Sequence, residues 1–346
     1  MAPHPTRHQG LLITLLIGLP LAVLLVWPQA FGAAQLLVMS QLVAFRALVG
    51  IGLGALAVVA AVVAWRRRRF GIPAGVAIVL GCSALATGAV LWGRGSDAAP
   101  HASIGAATHA STNGGDLTVL AWNTQGGATP PADVARLILD TGADVVSLPE
   151  MDDDAAAEVA RLVALGGRRM APDTTYGATG DSWIPTSVLI SGELGAYRQD
   201  TSAGSTPGLP SAVWRPVDGS GPAIVAAHPA PPLRTLMGEW AAGLRWVATQ
   251  CNAPDVIVAG DLNATVDHLS GLGAGEGSLI GHCQDAALQA HAGAVGTWPV
   301  KLPAWSGAQI DHVLVGSGWT ARSVQVVASP AGGTDHRPIV AVLDAR

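Results

Sequence analysis

Three long apolar runs in the first quarter of this chain constrain its fold more than any other feature. They are Leu11–Trp27, Ala47–Trp65 and Pro73–Trp92. Each is close to the ~20 residues a helix needs to cross a bilayer. A single short segment satisfies its own backbone polar groups in lipid only as a helix. Trp27, Trp65 and Trp92 end the runs, where an indole prefers the membrane–water interface. The chain is 50% hydrophobic and 12% charged, with mean hydropathy +0.40, which is too apolar for an ordinary soluble protein. Arg7 before the first run leaves a cleavable signal peptide as its alternative reading. Two further spans follow, and no small-x-small cleavage site is apparent. Spans without internal charge argue against a transporter.

Charge is divided unevenly. Residues 1–96 hold Arg7, Arg46, Arg66 to Arg69 and Arg94 and no acid, which leaves 12 basic residues against all 24 acids. That second part therefore has a formal charge of −12. The tetra-arginine tract between spans two and three is a topology determinant, placed in the cytoplasm by the positive-inside rule. The expected topology puts the N-terminus inside and everything after Trp92 outside. Arg7 agrees with it, while Arg46 and Arg94 weigh against. So acidic an outer part repels polyanions, which disfavours an enzyme gripping duplex DNA. It leaves room for a small phosphoester, a lipid headgroup or a short single strand.

The expected organisation is a membrane region over 1–94, a tether over 95–116 rich in Gly, Ala, Ser and Thr, and an outer domain over 117–346. In the outer domain short strands alternate with helices. Strands are expected at Leu117–Ala121, Asp144–Leu148, Ser187–Ile190, Ser211–Trp214, Ala223–Ala227, Val256–Ala259, His312–Val315, Val324–Ala328 and Ile339–Leu343. Helices are expected at Pro131–Asp140, Asp153–Leu165 and Arg234–Gln250. This pattern means an α/β fold with two packed sheets and helices outside. Cys251 and Cys283 are the only cysteines there, and outside the cell such a pair reads as a disulfide. Two unrelated buried thiols are the alternative. The absence of ligand-spaced Cys/His sets argues against zinc.

Several strands end in a hard oxygen ligand or a histidine. Asn123 follows Leu117–Ala121, and Glu150 follows Asp144–Leu148. Asp261 and Asn263 follow Val256–Ala259, one residue apart and so on one side of an extended chain. His228 follows Ala223–Ala227; Asp311 opens another strand; Asp335-His336 precedes the last. Carboxylates and carboxamides converging at a sheet rim suit Mg²⁺ or a similar cation. An aspartate holding one nitrogen of His336 would leave the other facing substrate. Alone, each has a plainer reading: a solvated strand-end acid for Glu150, an Asx turn for Asp261–Asn263, a structural histidine for His228.

Taken in order, the pieces Trp122-Asn123, Leu148-Pro149-Glu150, His228-Pro229, Gly260-Asp261-Leu262-Asn263, Ile310-Asp311-His312 and Thr334-Asp335-His336-Arg337-Pro338 resemble the endonuclease/exonuclease/phosphatase superfamily. The resemblance spans about Leu117 to Leu343. It implies a four-layered αββα sandwich of the deoxyribonuclease-I-like kind, preceded here by three transmembrane helices. It implies a metal site at Glu150, assisted by Asn123 and Asp335, holding Mg²⁺ or Mn²⁺. It also implies catalytic roles for His228, Asp261, Asn263, Asp311 and His336. Two positions depart from the family pattern: Gln125 stands where many relatives carry an acid, and Pro149 where many carry Gln. Gln125 argues against a second tightly held metal.

The expected function is a membrane-anchored, extracytoplasmic, divalent-metal-dependent phosphoesterase. Its partner is a phosphoester substrate, whether lipid headgroup, small phosphodiester or nucleic acid, and no protein partner is evident in the sequence. An extracellular nuclease and a non-catalytic binding domain of the same fold are the alternatives.

Overall fold

The computed structural model describes residues 7–68, 70–97, 116–175, 185–327 and 333–346. Most of the expected tether (98–115), Arg69 and Ala328 lie outside these residues. The chain divides into two compact units, Met1–Gly93 and Arg94–Arg346.

The first unit is helical: α1 (Arg7–Val26), α2 (Leu37–Ala44), α3 (Arg46–Arg66) and α4 (Ile72–Arg94). Three stretches are long and apolar enough to span a membrane: His8–Val26, Arg46–Arg66 and Ile72–Arg94. They coincide with the three runs read from sequence. Small residues let α1 and α4 approach closely, as in membrane bundles. A Cβ on Gly75 would lie 2.8 Å from Thr14 Cβ. Helix α2 is new, because its apolar sequence is neither long enough for a span nor patterned as a strand. Arg46 is buried, and its guanidinium donates to Val26 O at 2.8 Å, satisfying an open carbonyl at the end of α1.

The second unit follows the order β1 (Asp116–Ala121), α5 (Pro131–Thr141), β2 (Val145–Pro149), α6 (Asp153–Leu165), β3 (Met170–Thr174), β4 (Thr186–Ser191), β5 (Tyr197–Gln199), β6 (Ala212–Pro216), β7 (Ala223–Ala227), α7 (Met237–Gln250) and β8 (Val256–Asp261). It continues with α8 (Val266–Leu269), β9 (Leu272–Gly273), β10 (Ile280–Gly281), β11 (Gln284–Asp285), α9 (Ala286–Gln289), β12 (Asp311–Val315), β13 (Trp319–Val326) and β14 (Ile339–Ala345). One sheet has the order β13-β14-β1-β2-β4-β3, the other β11-β12-β8-β7-β6-β5. Each is built around one parallel pair, β1/β2 and β7/β8, crossed over by a helix. Every other pairing within these two sheets is antiparallel.

Alternation along the strands explains the layers. Val119, Ala121, Val145, Ile257, Ala259 and Val313 fill the space between the sheets. Leu120, Val146 and Leu148 face α5 and α6 on one outer side. Val225 and Val258 face Trp240, Leu244 and Val247 of α7 on the other. Burying each of the Val, Leu and Ile side chains among them contributes roughly 1.5–3 kcal/mol. The result is the four-layered αββα arrangement. Helix α7 starts at Met237, not Arg234 as expected, and β13 starts at Trp319, with an irregularity between Ala321 and Ser323. Cys251 and Cys283 are bonded, with a sequence separation of 32.

Candidate active site

The two parallel pairs deliver their carboxyl ends to one edge of the stack. Asn123 follows β1 and Glu150 follows β2; His228 follows β7 and Asp261 closes β8. The antiparallel neighbours begin at the same edge. Asp311 opens β12 opposite Asp261, and His336 precedes β14, whose Ile339 pairs with Ala121. Gly260 makes the close approach of β7 and β8 possible: its φ is +149°, and a Cβ there would sit 2.0 Å from Ala227 O.

Asn123 is the hub. Its Nδ2 donates to Glu150 Oε1 at 3.1 Å and to Asp261 Oδ2 at 3.0 Å. Its Oδ1 accepts from Gln125 N at 2.9 Å. The side chain thus ties one sheet to the other. Asp261 Oδ1 accepts from Asn263 N at 2.8 Å, and Asn263 Nδ2 donates to Pro229 O at 3.0 Å. Glu150, Asn263 and Gln125 have φ of +62°, +49° and +54°. Non-glycine residues are uncommon in that region, and such strain clusters at functional sites.

The two histidines are held in opposite states. His336 Nδ1 lies 2.9 Å from Asp311 Oδ2, while its Nε2 lies 3.8 Å from both Asp261 Oδ2 and Asp335 Oδ1. Burial alone would lower its pKa, but Asp311 and Asp261 overcome this and hold it up at about 10. His228 is buried with its Nε2 3.8 Å from Glu150 Oε1 and from Asp261 Oδ2. There burial dominates and lowers the pKa, so the ring is neutral at pH 7. Asp261 is pushed up, chiefly by burial, although His336 opposes the shift.

This donor set fits a divalent cation. Glu150, Asp261, Asp311 and Asp335 bring four carboxylates against one imidazolium, leaving net negative charge to balance. Asp311 Oδ1 is buried without a hydrogen-bond partner among the described residues. Asp261, Asp311 and His336 place ligand atoms within 4.8 Å of one another. A charged His336 has no lone pair for a metal, however. Both oxygens of Asp261 are held by Asn123 and Asn263, and Oδ2 of the buried Asp311 is held by His336. Glu150 and Asp335 are the open ones, with side chains 22% and 34% exposed.

All eight candidates read from sequence converge here. The structure adds residues to which the sequence assigned no role in the site. Trp298 Nε1 donates to Asp335 Oδ2 at 2.8 Å, and Gln125 Oε1 accepts from Asp335 N at 3.0 Å. Thr334 Oγ1 donates to Asn123 O at 2.7 Å and accepts from His336 N at 3.1 Å. Ser211 Oγ accepts from His228 N at 2.7 Å. Thr334 lies in the motif with Asp335 and His336; Trp298 and Ser211 carry no local signal.

Residues 120–336 match the family described as Endonuclease/Exonuclease/phosphatase family, and the chain belongs to it. Solved structures share the fold at low identity. An endonuclease/exonuclease/phosphatase from Bacteroides vulgatus has a TM-score of 0.51 and 16% identity, covering 67% of this chain and 99% of that one. The corresponding protein from Beutenbergia cavernae DSM 12333 gives 0.50 and 18%, with 67% and 72% coverage. A humanized D. rerio TDP2 gives 0.50 and 16%, with 67% and 99% coverage. No curated protein matches the sequence. Fold and family together define a phosphoester hydrolase at the coarse level, carried by a chain with three apolar helices.

Proposed function

We propose that the chain is a membrane-anchored phosphodiesterase, dependent on Mg²⁺ or Mn²⁺, with its catalytic unit outside the cytoplasm. The observation that carries the reading is the Asn123 bridge between Glu150 and Asp261, set beside an imidazolium charged by Asp311. Glu150, Asn123 and Asp335 would hold the cation, which when bound supplies positive charge against the phosphoryl oxygens.

The protein's own groups then divide the work. His336 keeps its proton through neutral pH and donates from Nε2 to a phosphoryl oxygen, strengthening as charge develops. Because it is already protonated, it is not the base. Asp261, raised by burial and beside Asn263, takes the proton of the attacking water as its oxygen bonds to phosphorus; the ester P–O bond breaks and the departing oxygen takes a proton from solvent. Asn263 orients water and phosphate, and neutral His228 donates or accepts without adding charge.

Three observations support the outward orientation and a small substrate. Arg66 to Arg68 lie at the end of α3, where the positive-inside rule places them in the cytoplasm. Arg46, which weighs against that topology, is consumed by the end of α1. The charge of −12 beyond residue 96 favours a lipid headgroup or other small phosphodiester over duplex DNA. The test is hydrolysis by the full chain in detergent micelles. Substrates are sphingomyelin, phosphatidylinositol phosphates, RNA, plasmid DNA and a bis-aryl phosphodiester, each with Mg²⁺, Mn²⁺ or EDTA. Chelator-sensitive turnover greatest on a lipid or small diester is expected. Preference for plasmid DNA would replace this with the nuclease reading, and metal binding without turnover with the binding-domain reading.

A further inference from the structure

A second histidine–aspartate pair sits behind the first and has no part in the chemistry above. His312 and Asp285 are 0% and 1% exposed. His312 Nδ1 lies 2.7 Å from Asp285 Oδ2, and Nε2 lies 2.8 Å from Ala264 O. A carboxylate and a carbonyl only accept, so the ring donates from both nitrogens. Asp285 is fixed in turn: its Oδ1 accepts from Leu288 N at 2.8 Å, capping α9. Two residues before it, Cys283 is bonded to Cys251.

Burying an ion pair carries a desolvation penalty that packed apolar residues avoid, so packing alone does not account for it. Its second contact does. Ala264 directly follows Asn263, which is held in the left-handed region at φ +49°. The turn is otherwise held by Leu262 N on Ile310 O at 2.9 Å, by Asn263 N on Asp261 and by Asn263 Nδ2 on Pro229 O. Downstream, Thr265 N donates to His268 Nδ1 at 2.7 Å, and His312 holds the Ala264 carbonyl itself.

We propose that His312 is a positioning residue: anchored on Asp285, it clamps the Ala264 carbonyl and thereby aims the Asp261 carboxylate and the Asn263 amide at the scissile phosphate. The catalytic half of this statement rests on the roles given to Asp261 and Asn263 above.

The test uses the full chain in detergent micelles, His312→Gln, Mn²⁺ and bis(p-nitrophenyl) phosphate. Hydrogen exchange at residues 262–265 should accelerate by about 10–100-fold, the worth of one charge-assisted hydrogen bond. Exchange at 256–259 in β8 should not change. The value of kcat should fall by about 10–100-fold with KM within about twofold, since positioning acts on the transition state. In the Asn263→Ala background His312→Gln should cost less than about twofold, because both changes remove the same alignment. Asp285→Asn, which keeps an oxygen acceptor, should move each readout in the same direction by less. It carries the test if His312→Gln does not fold. Unchanged exchange at the turn, or full additivity with Asn263→Ala, overturns the proposal. Accelerated exchange in a protein whose wild type hydrolyses nothing would sustain the clamp and reject the reaction.

Discussion

Asp311→Asn isolates the charge on His336 from its position. The amide keeps an oxygen that can accept from Nδ1, now 2.9 Å from Asp311 Oδ2, and removes only the negative charge. A hydrogen bond to a charged group is worth about 1.5–3 kcal/mol net. At 1.36 kcal/mol per pKa unit, that moves the His336 titration down by about 1–2 units. The wild-type ring is held at about 10. The assay is the pH–rate profile of diester hydrolysis by wild type and variant under identical metal. A bound cation acts on both proteins alike, so the difference between the alkaline limbs is the test. The variant's limb should lie about 1–2 pH units lower, with kcat at pH 6.5 reduced by less than ~10-fold. A limb that stays in place while kcat falls equally at every pH would refute the imidazolium as the acting species.

Stability should follow the same group. The folded pKa of His336 is raised above its unfolded value near 6.5, so its contribution is fully present below that pH and is lost as pH rises through about 10. The thermal midpoint of metal-free wild type should therefore fall over this window, and fall less in Asp311→Asn. Reducing the Cys251–Cys283 bond, which spans 32 residues, should cost the second unit about 3–4 kcal/mol by loop entropy, read from denaturant unfolding with and without reductant. Gly260→Ala should destabilise that unit by more than ~2 kcal/mol, since its Cβ would collide with Ala227 O, and a normal thermal midpoint would refute the close approach.

Elements were legible where local chemistry and tertiary packing agreed. Helix α6 runs Asp153–Leu165 as expected, because Asp152 caps it through Ala155 N and acids fill its first turn. Strand β3 was missed: it is an edge strand holding Pro172, with its middle residues exposed, so it lacks the apolar alternation that marks a strand. The same limit applies to the site. Asn123, Glu150, Asp261 and His336 are readable because each ends or precedes an apolar run. His312 stood in the Ile310-Asp311-His312 motif but showed no role, because its partners Asp285 and Ala264 lie 27 and 48 residues away. The Trp298 hold on Asp335 spans 37 residues and was hidden for the same reason.

Metal-assisted hydrolysis centred on Glu150 stands or falls on one substitution. Turnover of a bis-aryl phosphodiester would be compared for the full chain and Glu150→Gln, each with Mn²⁺ and with EDTA. Turnover should be chelator-sensitive in wild type and fall by at least ~10²-fold in Glu150→Gln, with the fold retained. Full activity in Glu150→Gln, or wild-type turnover indifferent to EDTA, would contradict it.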